Sequence, residues 1–103
     1  MEDLVSNEIT KKLIEKGFPI LYYTDSKMER KSFDPTIYEV LKWLREEKNI
    51  ILTPNPSYFE EDCCLGWDCD VWASGNYDYC CVDYKTYEQA SIAGIEYVLD
   101  NLI

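Results

Sequence analysis

Two segments of alternating polarity, residues 69–74 and 77–84, flank the dipeptide Gly75-Asn76. Side chains of a strand alternate between faces, and Gly-Asn suits a two-residue reversal, so this pattern specifies an antiparallel hairpin. A turn at 75–76 sets Ser74 against Tyr77, Trp72 against Tyr79, Val71 against Cys80 and Cys69 against Val82. One face then carries Cys69, Val71, Ala73, Cys80, Val82 and Tyr84, the expected core side. The other carries Asp70, Trp72, Tyr79, Cys81 and Asp83, a wetter face with an aromatic pair.

The flanking chain supplies helices. Ser6 caps a helix over 6–16, whose stripe is Ile9, Leu13 and Ile14; Gly17 ends it, and Phe18 folds back on Leu13. Residues 19–24 and 28–33 read as two strands around the polar turn Asp25-Ser26-Lys27. Asp34-Pro35 predicts a helix start with Asp34 as the cap, running to about Lys48, with Ile37, Val40, Leu41 and Leu44 inward and Asn49 closing it. Trp43 lies off that face and is expected to join the core by covering the sheet edge, the alternative being a self-association contact. Residues 50–53 form a short apolar strand, and Pro54-Asn55-Pro56-Ser57 opens an acidic, aromatic, Cys-containing loop expected over 54–68. Thr86-Tyr-Glu-Gln89 is a capping box for a last helix to about Asn101, burying Ile95, Val98, Leu99 and Leu102, with Ala90, Ala93 and Gly94 allowing close approach to a sheet. The order α-β-β-α-β-β-β-α is an α+β domain: one antiparallel sheet with three helices, spanning 1–103 as a single domain.

Charge is distributed unevenly. Residues 1–52 carry nine basic and ten acidic groups, whereas residues 53–103 carry Lys85 against ten acids, in a chain of net charge −10. Phosphate tracking needs clustered Lys and Arg, so the second half is a poor surface for nucleic acid or an anionic membrane and a good one for a basic protein. No apolar run approaches the ~18 residues of a membrane span. The start, Met1-Glu2-Asp3-Leu4, lacks the basic character of a secretory leader. The five cysteines at 63, 64, 69, 80 and 81 are odd in number and include two vicinal pairs, which fits reduced thiols. A cytoplasmic protein is expected.

A pattern runs through these caps and core positions: Ser6, Glu15-Lys-Gly-Phe18, Tyr22-Tyr23, Pro35-Thr36, Lys42-Trp-Leu-Arg-Glu46, Ile50, Tyr84-x-Thr-Tyr-Glu-x-Ala90 and Ala93-Gly-Ile95. It resembles a set of small hypothetical proteins of phages and prophages of the Bacteroidetes, outside residues 54–68. The resemblance implies a phage-derived gene acting inside a bacterium and assigns no activity and no catalytic residue.

The sequence holds no histidine, which removes His-based acid–base, triad and HExxH chemistry. Cys63, Cys64, Cys69 and Cys80 offer thiolates for zinc, but without a Cys-x-x-Cys knuckle, and small buried hydrophobes are the competing reading. Asp62, Asp68, Asp70 and Asp83 near these thiols disfavour thiolate reactivity. The carboxylates at 60, 61, 62, 68, 70, 78 and 83 single out no catalytic pair. No enzyme, cofactor or metal is expected. The remaining candidate is recognition of a protein by an acidic aromatic surface built from Tyr58, Trp67, Trp72, Tyr77 and Tyr79. In phage context its sharper form is an inhibitor of a host nucleic-acid enzyme that imitates phosphate charge. The alternatives are a thiolate-zinc module and a self-assembling structural protein, a homo-oligomer.

Overall fold

A computed structural model describes residues 4–58 and 65–103, and the side chains of these except at positions 23, 32, 57, 58, 65, 80, 81 and 83. The order is α1 (Asn7–Glu15), β1 (Tyr22–Thr24), β2 (Arg30–Ser32), α2 (Ile37–Glu47), β3 (Ile50–Tyr58), β4 (Leu65–Ala73), β5 (Asn76–Tyr84) and α3 (Tyr87–Asn101). The α+β order expected from the sequence is present. The strands form two sheets: an antiparallel β1–β2 hairpin and an antiparallel three-stranded sheet, β3-β4-β5.

Local chemistry sets the helix ends. The Ser6 hydroxyl accepts from the Ile9 amide, and at the far end Gly17, with φ 93°, donates to Ile14 O while the Phe18 amide donates to Leu13 O. These two bonds are a Schellman closure, which needs the left-handed residue that glycine supplies. Facing inward on α1 are Ile9, Thr10 and Leu13, and Ile14 is exposed. The expected stripe is therefore rotated towards Thr10. Its buried hydroxyl finds partners at Ser6 O and Asp34 Oδ1, so burial leaves no polar atom unpaired there.

The start of α2 differs from expectation. Its cap is Thr36, not Asp34: Thr36 Oγ1 accepts from the Glu39 amide, and Glu39 Oε1 accepts from the Thr36 amide. Only Thr36 has an acid three residues on, so the reciprocal box forms there. Asn49, at φ 56°, follows the helix in the left-handed conformation expected of it. Trp43 meets Phe18 edge-on at 5.2 Å and covers the core margin. Helix α3 begins as expected, with Thr86 accepting from the Gln89 amide, although the Gln89 side chain reaches Lys85 N.

The expected loop over 54–68 is corrected by β3 and β4. Pro54 and Pro56 lie inside β3, opposite Cys69 and Trp67. Proline cannot donate to a ladder, but β3 is an edge strand, and prolines two residues apart direct both nitrogens to the same outer side. Only residues 59–64 remain between the strands, and they lie outside the described residues.

The hairpin turn is also corrected. It is Ser74-Gly75, with φ 52° and 82°, and Ala73 pairs with Asn76. Both central residues have positive φ, the twist that matches paired strands. Beyond the turn, Trp72 pairs with Tyr77, Val71 with Tyr79 and Cys69 with Cys81; irregularities fall between Val71 and Trp72 and between Trp67 and Cys69. Each inserts one extra β5 residue and reverses the faces beyond it.

One face of the large sheet packs under α2 and α3. Its core includes Ile50, Leu52, Cys69 and Val71 against Val40, Leu44, Ala90, Ile95, Val98 and Leu99. Helix α1 docks on α3 through Leu13, with Lys12 bonded to Asp100 and Lys16 to Ile103 O.

Candidate protein-binding face

The inserted Asp78 divides the five aromatic residues singled out in the sequence. Before it, Trp72 and Tyr77 stand on the sheet face turned away from the helices, their rings edge-on at 5.1 Å. After it, Tyr79 points to the helix side and stacks on Tyr97 of α3, centroids 4.4 Å apart and planes within 12°. Tyr97 donates its hydroxyl proton to Asp78 Oδ2 at 2.7 Å. Trp67 meets Tyr87 edge-on at 5.6 Å and packs against the core. The backbone of Tyr58 ends β3, and its side chain lies outside the described set. The structure thus joins Trp72 to Tyr77, places Trp67 and Tyr79 on the opposite face, and corrects the expected Trp72–Tyr79 pair.

The open face holds residues that the sequence reading missed. Ile51 lies opposite Trp72, and Val82, expected in the core, is 53% exposed after the first reversal. Ile51, Trp72 and Tyr77 are exposed as well. Ile51 was missed because it sits in an apolar run, Ile50-Ile51-Leu52, in which only Ile50 and Leu52 turn inward.

Asp70 is fixed among them. Its Oδ1 accepts from Tyr77 OH at 3.3 Å and its Oδ2 from Asn55 Nδ2 at 3.0 Å. The amide also donates to Thr53 O, which locks the Asn55 rotamer. Both donors are neutral, so they orient the carboxylate without cancelling its charge. Strands β3, β4 and β5 together contain Asp68, Asp70, Asp78 and Asp83 and no lysine or arginine. A preorganised aromatic pair beside a fixed carboxylate can cover a partner's apolar surface and hold a cation at its rim.

The register places Cys81 opposite Cys69 and Cys80 opposite Asp70, which corrects the expected pairing of Cys69 with Val82 and of Cys80 with Val71. Cys69 is fully buried beneath Gly94 of α3. Cys63 and Cys64 lie outside the described residues. Among the described residues no three His, Cys, Asp or Glu side chains gather where one metal ion could be held, and no helix is long and apolar enough to cross a membrane.

No family model matches this chain, and neither the curated proteins nor the solved structures searched contain a match.

Proposed function

We propose that this chain is a non-catalytic protein-binding module and that its open sheet face receives a basic protein. The observation that carries the reading is the exposed group Ile51, Trp72, Tyr77 and Val82 set around the fixed carboxylate of Asp70. A sheet face normally buries its apolar side chains against another layer. Contiguous exposed apolar surface with a polar rim marks an interaction site. The absence of cations from the three strands makes that site selective for positive charge and speeds its encounter with such a partner. In the phage setting that the sequence resemblance implies, the partner is a host nucleic-acid enzyme whose phosphate-binding surface meets these carboxylates inside the bacterial cell.

The test is binding of basic host nucleases and DNA-binding proteins to the reduced protein by calorimetry, across a salt series. Binding that weakens with salt and is lost in Trp72→Ser/Tyr77→Ser, with the fold retained by circular dichroism, supports the reading. Failure to bind any of them at low salt sinks it.

A further inference from the structure

The β1–β2 hairpin packs on no other element among the described residues. An isolated two-stranded hairpin is marginal in water, because it buries too little to offset the ordering of its backbone. Yet its loop is well built. Asp25 Oδ1 accepts from the Lys27 and Glu29 amides, the Asp25 amide donates to Glu29 O, and Met28 adopts φ 63°. The hairpin also displays apolar surface to solvent, with Leu21 76% and Met28 83% exposed. Its turn and β2 carry Lys27, Arg30 and Lys31 against Asp25 and Glu29, an excess of one positive charge, with Lys31 Nζ 3.2 Å from Glu29 Oε2 and the Arg30 guanidinium 4.0 Å above the Tyr22 ring. A projecting arm that is ordered, apolar at its margins and basic is built to be covered.

The large sheet offers one place suited to cover it. At the β3 edge Pro54 and Pro56 block strand addition. The β5 edge contains no proline, and no strand lies beyond it among the described residues. Between its two irregularities, β5 runs regularly over Tyr79–Cys81, three residues that match the three of β2. Beside this edge, α3 and Tyr84 border a shallow, open groove of about 460 Å³ lined by Gln89, Ile92, Ala93 and Glu96. Glu96 lines it, and Glu88 of α3 and Asp78 of β5 stand on the elements that border it, against the single cation Lys85, whose amide donates to Gln89 Oε1.

We infer that the β1–β2 arm of a second copy of this chain adds to the β5 edge, extending the sheet to β3-β4-β5-β2-β1 across two molecules. Strand addition supplies main-chain hydrogen bonds, and the groove takes apolar side chains of the arm while its acids face Arg30 and Lys31. The contact joins two different surfaces, so it propagates head to tail into rings or filaments. It uses a different surface from the open face of the sheet and stands independently of that reading.

The experiment is sedimentation velocity of the reduced full chain over a concentration series at low and high salt. Association that grows with concentration and weakens with salt is expected. Arg30→Glu/Lys31→Glu and, separately, Ala93→Lys/Glu96→Lys each weaken it at least ~10-fold. An equimolar mixture of the two double variants associates again, because each acidic arm meets a basic groove and each native arm a native groove. Circular dichroism of each variant controls for folding, and the regained association of the mixture shows that both fold. A monomer at every concentration and salt overturns the inference, as does association that ignores both double variants or that fails to return on mixing. Trp72→Ser/Tyr77→Ser leaves this association unchanged, which separates it from binding at the open face.

Discussion

Gly94 of α3 lies so close to Cys69 of β4 that a Cβ built on it stands 2.7 Å from the cysteine sulfur. The next neighbours are the two Leu52 methyls, at 3.4 and 3.5 Å. Cys69 is fully buried, so its sulfur has nowhere inexpensive to go. Gly94→Ala therefore destabilises by about 1–3 kcal/mol, although alanine is the better helix former. Adding Cys69→Ala removes the obstructing atom. The double variant loses less than the sum of the single losses, with a coupling of about 1 kcal/mol in urea unfolding. Additive losses would contradict the contact.

The reciprocal box at the start of α2 predicts an asymmetry between two substitutions of Thr36. Thr36→Ala loses about 0.5–2 kcal/mol, because the Glu39 amide is left without an acceptor. Thr36→Ser, which keeps the oxygen, stays within a few tenths of that starting value. Thermal unfolding followed by circular dichroism distinguishes them, and equal losses would exclude Thr36 as the cap.

Thr10 and Asp34 are 24 positions apart and bonded at 2.7 Å. Thr10→Val keeps the shape of a fully buried side chain and removes its only proton donor. The expected loss is about 1–3 kcal/mol. Combined with Asp34→Ala, the loss is smaller than the two single losses added, since both remove one bond. A double-variant cycle in denaturant measures the coupling.

The Lys12–Asp100 bridge predicts a response to alkali. The side-chain hydrogen bond with Asp100 at 2.9 Å, helped by the charges of Asp100, Glu96 and Glu8, holds the Lys12 ammonium above its ordinary pKa against a smaller opposing effect of burial. A raised pKa in the folded state stabilises the fold below the unfolded lysine's pKa, and this contribution fades as pH rises through the folded value. Asp100→Asn lowers the Lys12 pKa, read by NMR titration. The difference in Tm between the two proteins is present at neutral pH and closes in strong alkali. Both side chains are about half exposed, so added salt narrows the difference at neutral pH as well.

What the sequence revealed divides by the range of the physics involved. Ser6, the Gly17-Phe18 closure and Thr86 follow from residues within one helical turn of each other, and their places are legible. Asp34-Pro35 obeys the same local rules and still does not cap α2, because Thr10 engages Asp34 from another helix and Glu39 is in register with Thr36. Pro54 and Pro56 mark a turn unless their strand is known to be an edge, which is a property of the whole sheet. The aromatic and acidic character of the candidate face was legible in Trp72, Tyr77 and Asp70. The departure of Tyr79 and the arrival of Val82 were not, because a one-residue irregularity leaves no mark on the alternating pattern around it.

That irregularity has a consequence for how such a surface changes over generations. Substitution alters one side chain at a time, whereas a deletion within a strand moves the residues beyond it to the other face, unless the residue lost is one too many for the ladder, as Asp78 is. Loss of its single codon would leave Tyr77 opposite Trp72 and Tyr79 opposite Val71, each on its present face, and would remove only the bulge and the acceptor of the Tyr97 hydroxyl. A one-codon deletion at this position is thus absorbed by the bulge, and the outward-facing chemistry of the strand passes through it unchanged.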